Sequence, residues 1–240
     1  MKNIFFSYTL LGEFMLKYKL GTLFLLMIGI FSFHFIAIDA EENELPLLGI
    51  VIYIDPGHGG SDPGAMYKNI KEADLNLKIS EKLEEKLVSL GAIVYLTRYG
   101  DYDLSVNHTI NRKRSDLSRR GNIINRSDCD LFLSIHLNAD ESGQWHGAEV
   151  YYDDVNPENE KIAKIMQSQL KKYLKSNRSM KKTDVLYLQK RIERPGVLIE
   201  AGFLSNSSDR YLLTQDTYQA KIATALTEGV LEYIRTRDGR

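Results

Sequence analysis

Cysteine is almost absent from this sequence, since Cys129 is the single one among 240 residues. No disulfide can form within the chain, so the cysteine content neither indicates nor excludes an oxidising compartment. Because Cys129 comes just before a strand pattern, we expect it in a loop or in the core. The sequence also lacks an excess of charge of either sign, because 31 basic and 32 acidic residues give a net charge of −1. Without a basic excess, nothing indicates a nucleic-acid partner.

One long apolar run is present near the N-terminus, over residues 20–38 (LGTLFLLMIGIFSFHFIAI). Its length suits a membrane-spanning helix of about 20 residues. Lys17 and Lys19 precede it and an acidic stretch follows. The positive-inside rule therefore predicts that residues 1–19 are cytoplasmic and that the chain after the span lies outside. A cleaved signal segment is the alternative, but its small-x-small cleavage pattern is poorly matched, so we favour an uncleaved anchor.

Residues 39–48, which follow this apolar run, form an acidic, proline-containing linker. Strand and helix patterns alternate over residues 49–236. Asn156 and Pro157 indicate where one of the helices begins. The alternation predicts a single α/β domain with a mostly parallel twisted sheet and helices on both faces. The predicted strands cover residues 49–54, 92–97, 131–136, 147–152, 184–189 and 196–201, and the predicted helices cover residues 72–90, 112–125, 156–174 and 218–233.

Three of the predicted strands deliver a titratable residue at their carboxyl ends, namely His58, His136 and Glu200. In an open parallel sheet these ends share one edge, where ligands bind in a crevice. Two imidazoles and a carboxylate suit a catalytic zinc site that keeps one position open for water. Glu72 opens the helix that follows the His58 turn, so a second carboxylate is available as a base. The residues alone leave open which glutamate binds metal.

The glycine-rich turn IDPGHGGSDPGA, residues 54–65, allows other interpretations of His58. A phosphate-binding loop is excluded, because no Lys-Ser or Lys-Thr pair follows the glycines and Asp62 stands where a dinucleotide fingerprint needs glycine. A plain turn remains possible for His58 taken alone. The basic residues of the second predicted helix are typical of a solvent-exposed helix face. Alternatively, they could contact an acidic wall polymer or order the site through ion pairs. They are Arg112, Lys113, Arg114, Arg119 and Arg120.

Four blocks of the sequence form a recognisable set of motifs: IDPGHGGSDPGA, KEADLNLKI, DLFLSIHLNA and PGVLIEAGFLSN. In order and spacing they resemble the signature blocks of the zinc-dependent N-acetylmuramoyl-L-alanine amidases of the amidase-3 family. The resemblance covers about Val51 to Ile234. It implies an enzyme that hydrolyses the amide bond between N-acetylmuramic acid and L-alanine in peptidoglycan.

The same resemblance implies roles for individual residues. Zn²⁺ would be bound by His58, Glu72 and His136, and Glu200 would be the catalytic carboxylate. Asn138, two residues after His136, would orient the substrate. All four principal positions are filled, which argues against a catalytically dead, membrane-tethered wall-binding protein. Another zinc peptidase or acylase of the cell wall remains the alternative, because the binding groove cannot be read from the residues.

A finer likeness is to the amidases of the spore cortex, in spacing and in the single N-terminal apolar run. It implies that peptide removal is the first step of muramic δ-lactam formation in a spore-forming bacterium. The sequence contains no wall-binding repeat. We therefore expect the anchor, or an activating or localising partner protein, to bring the enzyme to its substrate in the spore envelope.

Overall fold

The computed structural model describes residues 17–31, 45–107 and 109–239. The chain divides into two compact units, Met1–Glu44 and Leu45–Arg240. In the first unit, residues 17–31 form helix α1. Within the described part of the chain, every helix is too short or too polar to qualify as a membrane span. The predicted anchor is thus not confirmed, and its residues 32–38 lie outside the described residues.

The second unit contains a mixed sheet with the strand order β4-β1-β5-β8-β6-β7. Neighbouring strands are parallel, except that β6 runs antiparallel to β8. A separate two-stranded hairpin, β2–β3, follows the His58 turn. The strands are β1 (Val51–Pro56), β2 (Met66–Tyr67), β3 (Ile70–Lys71), β4 (Ile93–Leu96), β5 (Leu131–Asn138), β6 (Glu149–Tyr152), β7 (Lys181–Lys182) and β8 (Gly196–Phe203).

Helices cover both faces of this sheet, as the alternation predicted. Leu133 belongs to the main core with residues of α2, α4 and α6, whereas Phe132 packs with Ile124 of α3. Because successive strand residues point to opposite faces, these two clusters lie on opposite sides of β5. The helices of this unit are α2 (Glu72–Ser89), α3 (Arg112–Asn125), α4 (Asn159–Leu174), α5 (Ser207–Leu213) and α6 (Asp216–Asp238).

The predicted strand over residues 184–189 is wrong. After the two residues of β7 the chain leaves the sheet and ends this stretch in a short 3-10 helix, Gln189–Arg191. Leu188 is buried in the α3-side cluster while Val185 is 80% exposed, and the hydroxyl of Tyr187 bonds to Ser118 of α3. Apolar packing against α3 thus replaces strand pairing. The segment lines the crevice that also contains His58, His136 and Glu200.

Several boundaries also differ from the prediction, such as the end of α6 at Asp238, and two of them have a structural cause. Helix α4 begins at Asn159 with Glu158 as its N-cap, because Asn156 instead closes a turn by accepting a hydrogen bond from the Glu158 amide at 3.0 Å. The compact unit begins at Leu45, and Leu47 is fully buried in the main core. The end of the predicted linker is therefore packed as part of the domain.

Candidate metal centre and active site

The turn after β1 places His58 in an unusual backbone conformation. His58 has φ +62°, in the left-handed region that side chains other than glycine rarely adopt. Its neighbour Gly57 lies directly against the His136 ring, so that any Cβ at residue 57 would overlap the imidazole. The amide of Gly57 also bonds to the carbonyl of Ile135 in β5, at 2.9 Å. The two histidine-bearing segments are therefore in close contact.

Two buried arginines hold this turn through its carbonyl groups. Arg120 donates to the carbonyl oxygens of Pro56 at 2.8 Å and of His58 at 2.7 Å. Arg98 donates to those of Pro56 at 2.9 Å and of Gly57 at 3.0 Å. Each of the three successive carbonyls thus accepts at least one bond from a guanidinium. These bonds favour the strained conformation of His58 over a relaxed turn.

The charge of Arg120 is balanced by Asp55 and Asp116. The carboxylate of Asp55 is buried and lies 2.9 Å from the Arg120 guanidinium, and it also accepts from the hydroxyls of Thr97 and Ser134. Burial alone would raise the pKa of Asp55, but Arg120 and the Thr97 hydroxyl hold it below its ordinary value. Asp116 bonds to Arg120 from one helical turn before it, at 2.9 Å. The turn therefore rests on a network of buried, hydrogen-bonded polar side chains.

His58, Glu72 and His136 converge on one point, although they come from three different elements. One ligand atom from each lies within 4.8 Å of the others. Glu72 Oε1 is 3.2 Å from His58 Nε2 and 3.1 Å from His136 Nδ1. The rings of the two histidines stand edge to face at 4.9 Å. Two imidazole nitrogens and a carboxylate oxygen are the donor set of catalytic zinc sites, so these residues fit that ion.

The surrounding groups fix the orientation of these three side chains. Asp62 bonds to Nδ1 of His58 at 3.0 Å, which leaves Nε2 for the point of convergence. The second carboxylate oxygen of Glu72 accepts from the Ala65 amide at 2.8 Å. Burial opposes ionisation of Glu72, but its bonds to His136 and His58 lower its pKa far below the usual range. Burial lowers the pKa of His58, but the bonds to Glu72 and Asp62 and their negative charges together outweigh it, so the pKa is raised.

Glu200 lies beside this group on β8, where its backbone pairs with that of His136 on β5. Its Oε2 atom is buried and has no hydrogen-bond partner among the described residues. Burial, together with the negative charges of Glu72 and Glu149, raises the pKa of Glu200 well above its ordinary value. A carboxyl group with a pKa shifted upward, set next to a ligand cluster, is typical of a general acid–base.

A cavity of about 320 Å³ opens onto this site. His58, His136 and Glu200 line it, together with Lys113 of α3 and the segment 185–189. The residue set predicted from the carboxyl ends of the strands is thus brought together in one crevice. His108 lies outside the described residues, and His146 is exposed at a different cavity.

Asn138 does not line the crevice that contains the histidines. Its amide donates to Glu149 Oε1 at 3.1 Å, and it lines a second cavity of about 810 Å³. Its role in orienting substrate therefore stays a prediction. The structure also identifies supporting residues that the sequence reasoning missed, Asp62, Arg98 and Asp55. Asp62 could have been found from its place four residues after His58, but nothing local to Arg98 indicates its bonds to the turn.

Comparisons with known proteins agree with this geometry. Residues 52–232 match the family profile described as N-acetylmuramoyl-L-alanine amidase. The germination-specific N-acetylmuramoyl-L-alanine amidase of Bacillus subtilis (strain 168) is 40% identical over 223 residues, which cover 91% of this chain and 93% of that protein.

Two solved structures are similar over the same region. The CwlD amidase from Clostridioides difficile, in complex with the GerS lipoprotein, is 39% identical with a TM-score of 0.75, and the match covers 78% of this chain and 100% of that one. An N-acetylmuramoyl-L-alanine amidase from Clostridium difficile 630 is 31% identical with a TM-score of 0.71, covering 78% of this chain and 98% of that one. The family match over residues 52–232 includes every residue of the candidate site.

Proposed function

The chain belongs to the N-acetylmuramoyl-L-alanine amidase family, and we propose that it hydrolyses its peptidoglycan substrate with a zinc ion held by His58, Glu72 and His136. The observation that carries this proposal is the convergence of three ligand atoms beside a carboxyl oxygen of Glu200 that has no hydrogen-bond partner in the described part of the chain. The bond cleaved is the amide between the lactyl carbonyl of N-acetylmuramic acid and the nitrogen of L-alanine.

Glu200 is the proton carrier of the proposed reaction. Zinc, when bound, supplies a Lewis acid for the amide carbonyl and lowers the pKa of a coordinated water. Glu200 accepts a proton from the attacking water and delivers it to the alanine nitrogen as the C–N bond breaks. Its raised pKa makes the carboxyl group easier to protonate, as the return of the proton to the nitrogen requires. Hydrolysis leaves a free lactyl carboxylate on the glycan and a peptide with a free L-alanine amino group.

We place this activity in the spore cortex, on the strength of its similarity to the germination-specific relative. Removing the stem peptide frees the lactyl carboxyl group, which lactam formation within the same sugar requires. The amidase would therefore act first, and a deacetylase would expose the sugar amine before the ring closes. The similar CwlD amidase was solved with a lipoprotein. We propose that a partner protein activates or localises this chain.

The proposed organisation of the chain keeps the catalytic domain outside the cytoplasm. Residues 1–19 would be cytoplasmic, residues 20–38 would form an anchor or signal segment, and residues 39–48 would link it to the catalytic domain over residues 49–236. The two lysines before the apolar run and the acidic residues after it support this orientation. Expression of the full chain followed by protease treatment of intact cells tests it, because only an external domain is digested.

Product analysis tests the proposed reaction itself. Full-length protein loaded with zinc is incubated with peptidoglycan, and the products are identified by mass spectrometry. We expect free peptides that begin with L-alanine, together with muramic acid that carries no peptide. Peptides cut at any other amide would indicate a different zinc peptidase or acylase. No release from a sample that contains one zinc ion per chain, with or without a partner lipoprotein, would contradict the proposal.

A further inference from the structure

The second cavity, of about 810 Å³, is lined in part by residues of β5, β6, β7 and β8. Glu149 of β6, which lines it, is the register partner of Glu200 on β8. Register partners of neighbouring strands point their side chains to the same face. One strand further out, Lys181 of β7 pairs with Tyr151 of β6 and also lines the cavity. A substrate held at Glu200 can therefore extend across β6 towards β7.

One residue that lines this cavity is Glu149, a fully buried carboxylate with two cationic partners. Arg178 Nε donates to it at 2.7 Å and Lys181 Nζ at 3.1 Å. The hydroxyl of Tyr151 and the amide of Asn138 donate to it as well, at 2.9 and 3.1 Å. Because two cations share one anion, this wall of the cavity carries a positive charge in excess.

The two cations differ in how well they can reach a ligand. The Arg178 guanidinium lies between the rings of Trp145, at 5.0 Å, and Phe203, at 5.2 Å, and its side chain is 15% exposed. The side chain of Lys181 is 46% exposed. Arg178 is therefore occupied mainly by its bond to Glu149. The more exposed ammonium group of Lys181 can also donate a hydrogen bond to an incoming anion. The exposed ring of Trp145 adds an apolar surface to the same cavity.

The distance between the two places suits a dipeptide. Lys181 Nζ is 3.0 Å from the Glu149 carboxylate, and the backbone of Glu149 lies one strand spacing of about 5 Å from that of Glu200. Two extended residues span at most about 7 Å. A group on the second residue of a peptide whose first amide is cleaved at Glu200 therefore falls within reach of Lys181.

We propose that this cavity binds the stem peptide of the substrate and that Lys181 recognises the free carboxylate of its second residue, D-glutamate. The inference rests on the proposed amidase function. The glycan side of the cleaved bond consists of neutral sugar groups, so the positive charge of the cavity selects the peptide side. Lys181 is thus a specificity-determining residue, and an amidated second residue, D-isoglutamine, should be a poorer substrate.

The test compares two substrates across four proteins. Glycan strands whose stem peptides carry either D-glutamate or D-isoglutamine are given to the zinc-loaded full-length chain and to three variants of it. The parent should show a kcat/KM about fivefold higher for the acid, the effect of one solvent-accessible charge pair. In Lys181→Met this preference should fall to about one, through a higher KM for the acid alone. Lys181→Arg should retain it.

Lys182→Met is the matched control, because the neighbouring lysine pairs with Asp154 at 2.8 Å and does not line the cavity. It should retain the preference of the parent. The inference is overturned if the parent cleaves both substrates equally, or if Lys181→Met keeps the preference while folding and binding zinc as the parent does. Failure of the parent to cleave either substrate would instead overturn the proposed amidase function and this inference with it.

Discussion

Arg120 donates a hydrogen bond of 2.7 Å to the backbone carbonyl of His58, so a residue of α3 fixes the conformation of the turn that presents a metal ligand. Arg120 is fully buried and pairs with Asp55 and Asp116. In Arg120→Met both carboxylates lose their buried partner, which should lower the free energy of unfolding by about 3 kcal/mol. The His58 turn should also relax, and the bound zinc should fall below one ion per chain.

Urea unfolding of zinc-free protein and metal analysis of loaded protein check this prediction separately. Arg119→Met, which changes the exposed residue before it, is the control and should alter neither quantity. A stable, fully zinc-loaded Arg120→Met protein would show that the turn does not depend on this arginine.

Gly57 is required where it is because the His136 ring occupies the space of a side chain. In Gly57→Ala the new methyl group should push the ring of His136 away from Glu72 and weaken zinc binding at least tenfold, on the scale of lost supporting contacts in metal sites. Competition with a fluorescent chelator measures the zinc affinity. Gly121→Ala adds a methyl group in α3 with only ordinary contacts, the nearest at 3.5 Å, and should bind zinc as the parent does. Equal affinities for the two variants would contradict the account.

The buried carboxyl of Glu200 should make the zinc-free protein less stable as the pH rises. Its pKa is raised in the folded state, so the unfolded chain loses this proton at a lower pH than the folded protein does. The contribution of Glu200 to stability is therefore complete below the unfolded pKa and declines above it, until the folded group ionises. Glu200→Gln should remove this decline, so that its gain in stability over the parent is greater at pH 8 than at pH 4.

Thermal unfolding in a chelator, at a series of pH values, measures this difference. Glu85→Gln, a change at an exposed position of α2, should run parallel to the parent over the whole range. If the curves of Glu200→Gln and the parent are also parallel, Glu200 is not held in its protonated form by the fold.

Cys129 should be unreactive in the native protein. Burial raises the pKa of its thiol to about 11, and only the thiolate is nucleophilic. At pH 8 a thiol reagent should therefore modify the folded chain at least ten times more slowly than the chain in denaturant. Absorbance of the released aromatic thiol follows the reaction. Rapid modification of the folded protein would contradict the burial of Cys129 beneath α3.

The sequence predicted those parts of the fold that depend on local pattern. The helix α2 and the strands β1, β5 and β8 agree with it because apolar periodicity and glycine stops dominate there. Residues 184–189 have the same apolar character, yet they pack on α3 instead of pairing in the sheet. Tertiary contacts, such as the Tyr187–Ser118 hydrogen bond at 3.1 Å, favour this packing over a strand. No local sequence pattern reveals such contacts.

The candidate site divides in the same way. His58, His136 and Glu200 could be predicted because the carboxyl ends of neighbouring strands meet at one edge. The burial of Arg120 could not, since its neighbours Arg119 and Arg114 are exposed and the helix has the composition of a solvated face. Arg98, likewise, follows a different strand from the turn it holds. Side chains that support the site through contacts distant in sequence depend on three-dimensional packing, so the sequence pattern does not predict them.

The central claim is that Glu200 transfers the proton while His58, Glu72 and His136 hold zinc. Its most direct test measures turnover of peptidoglycan and zinc content on the same samples of the parent, Glu200→Gln and His58→Ala. The account predicts that Glu200→Gln retains one zinc ion and the parental fold but loses at least a hundredfold in kcat, as expected when a general acid–base is removed. His58→Ala should lose both zinc and activity. Turnover of Glu200→Gln equal to that of the parent would contradict the account.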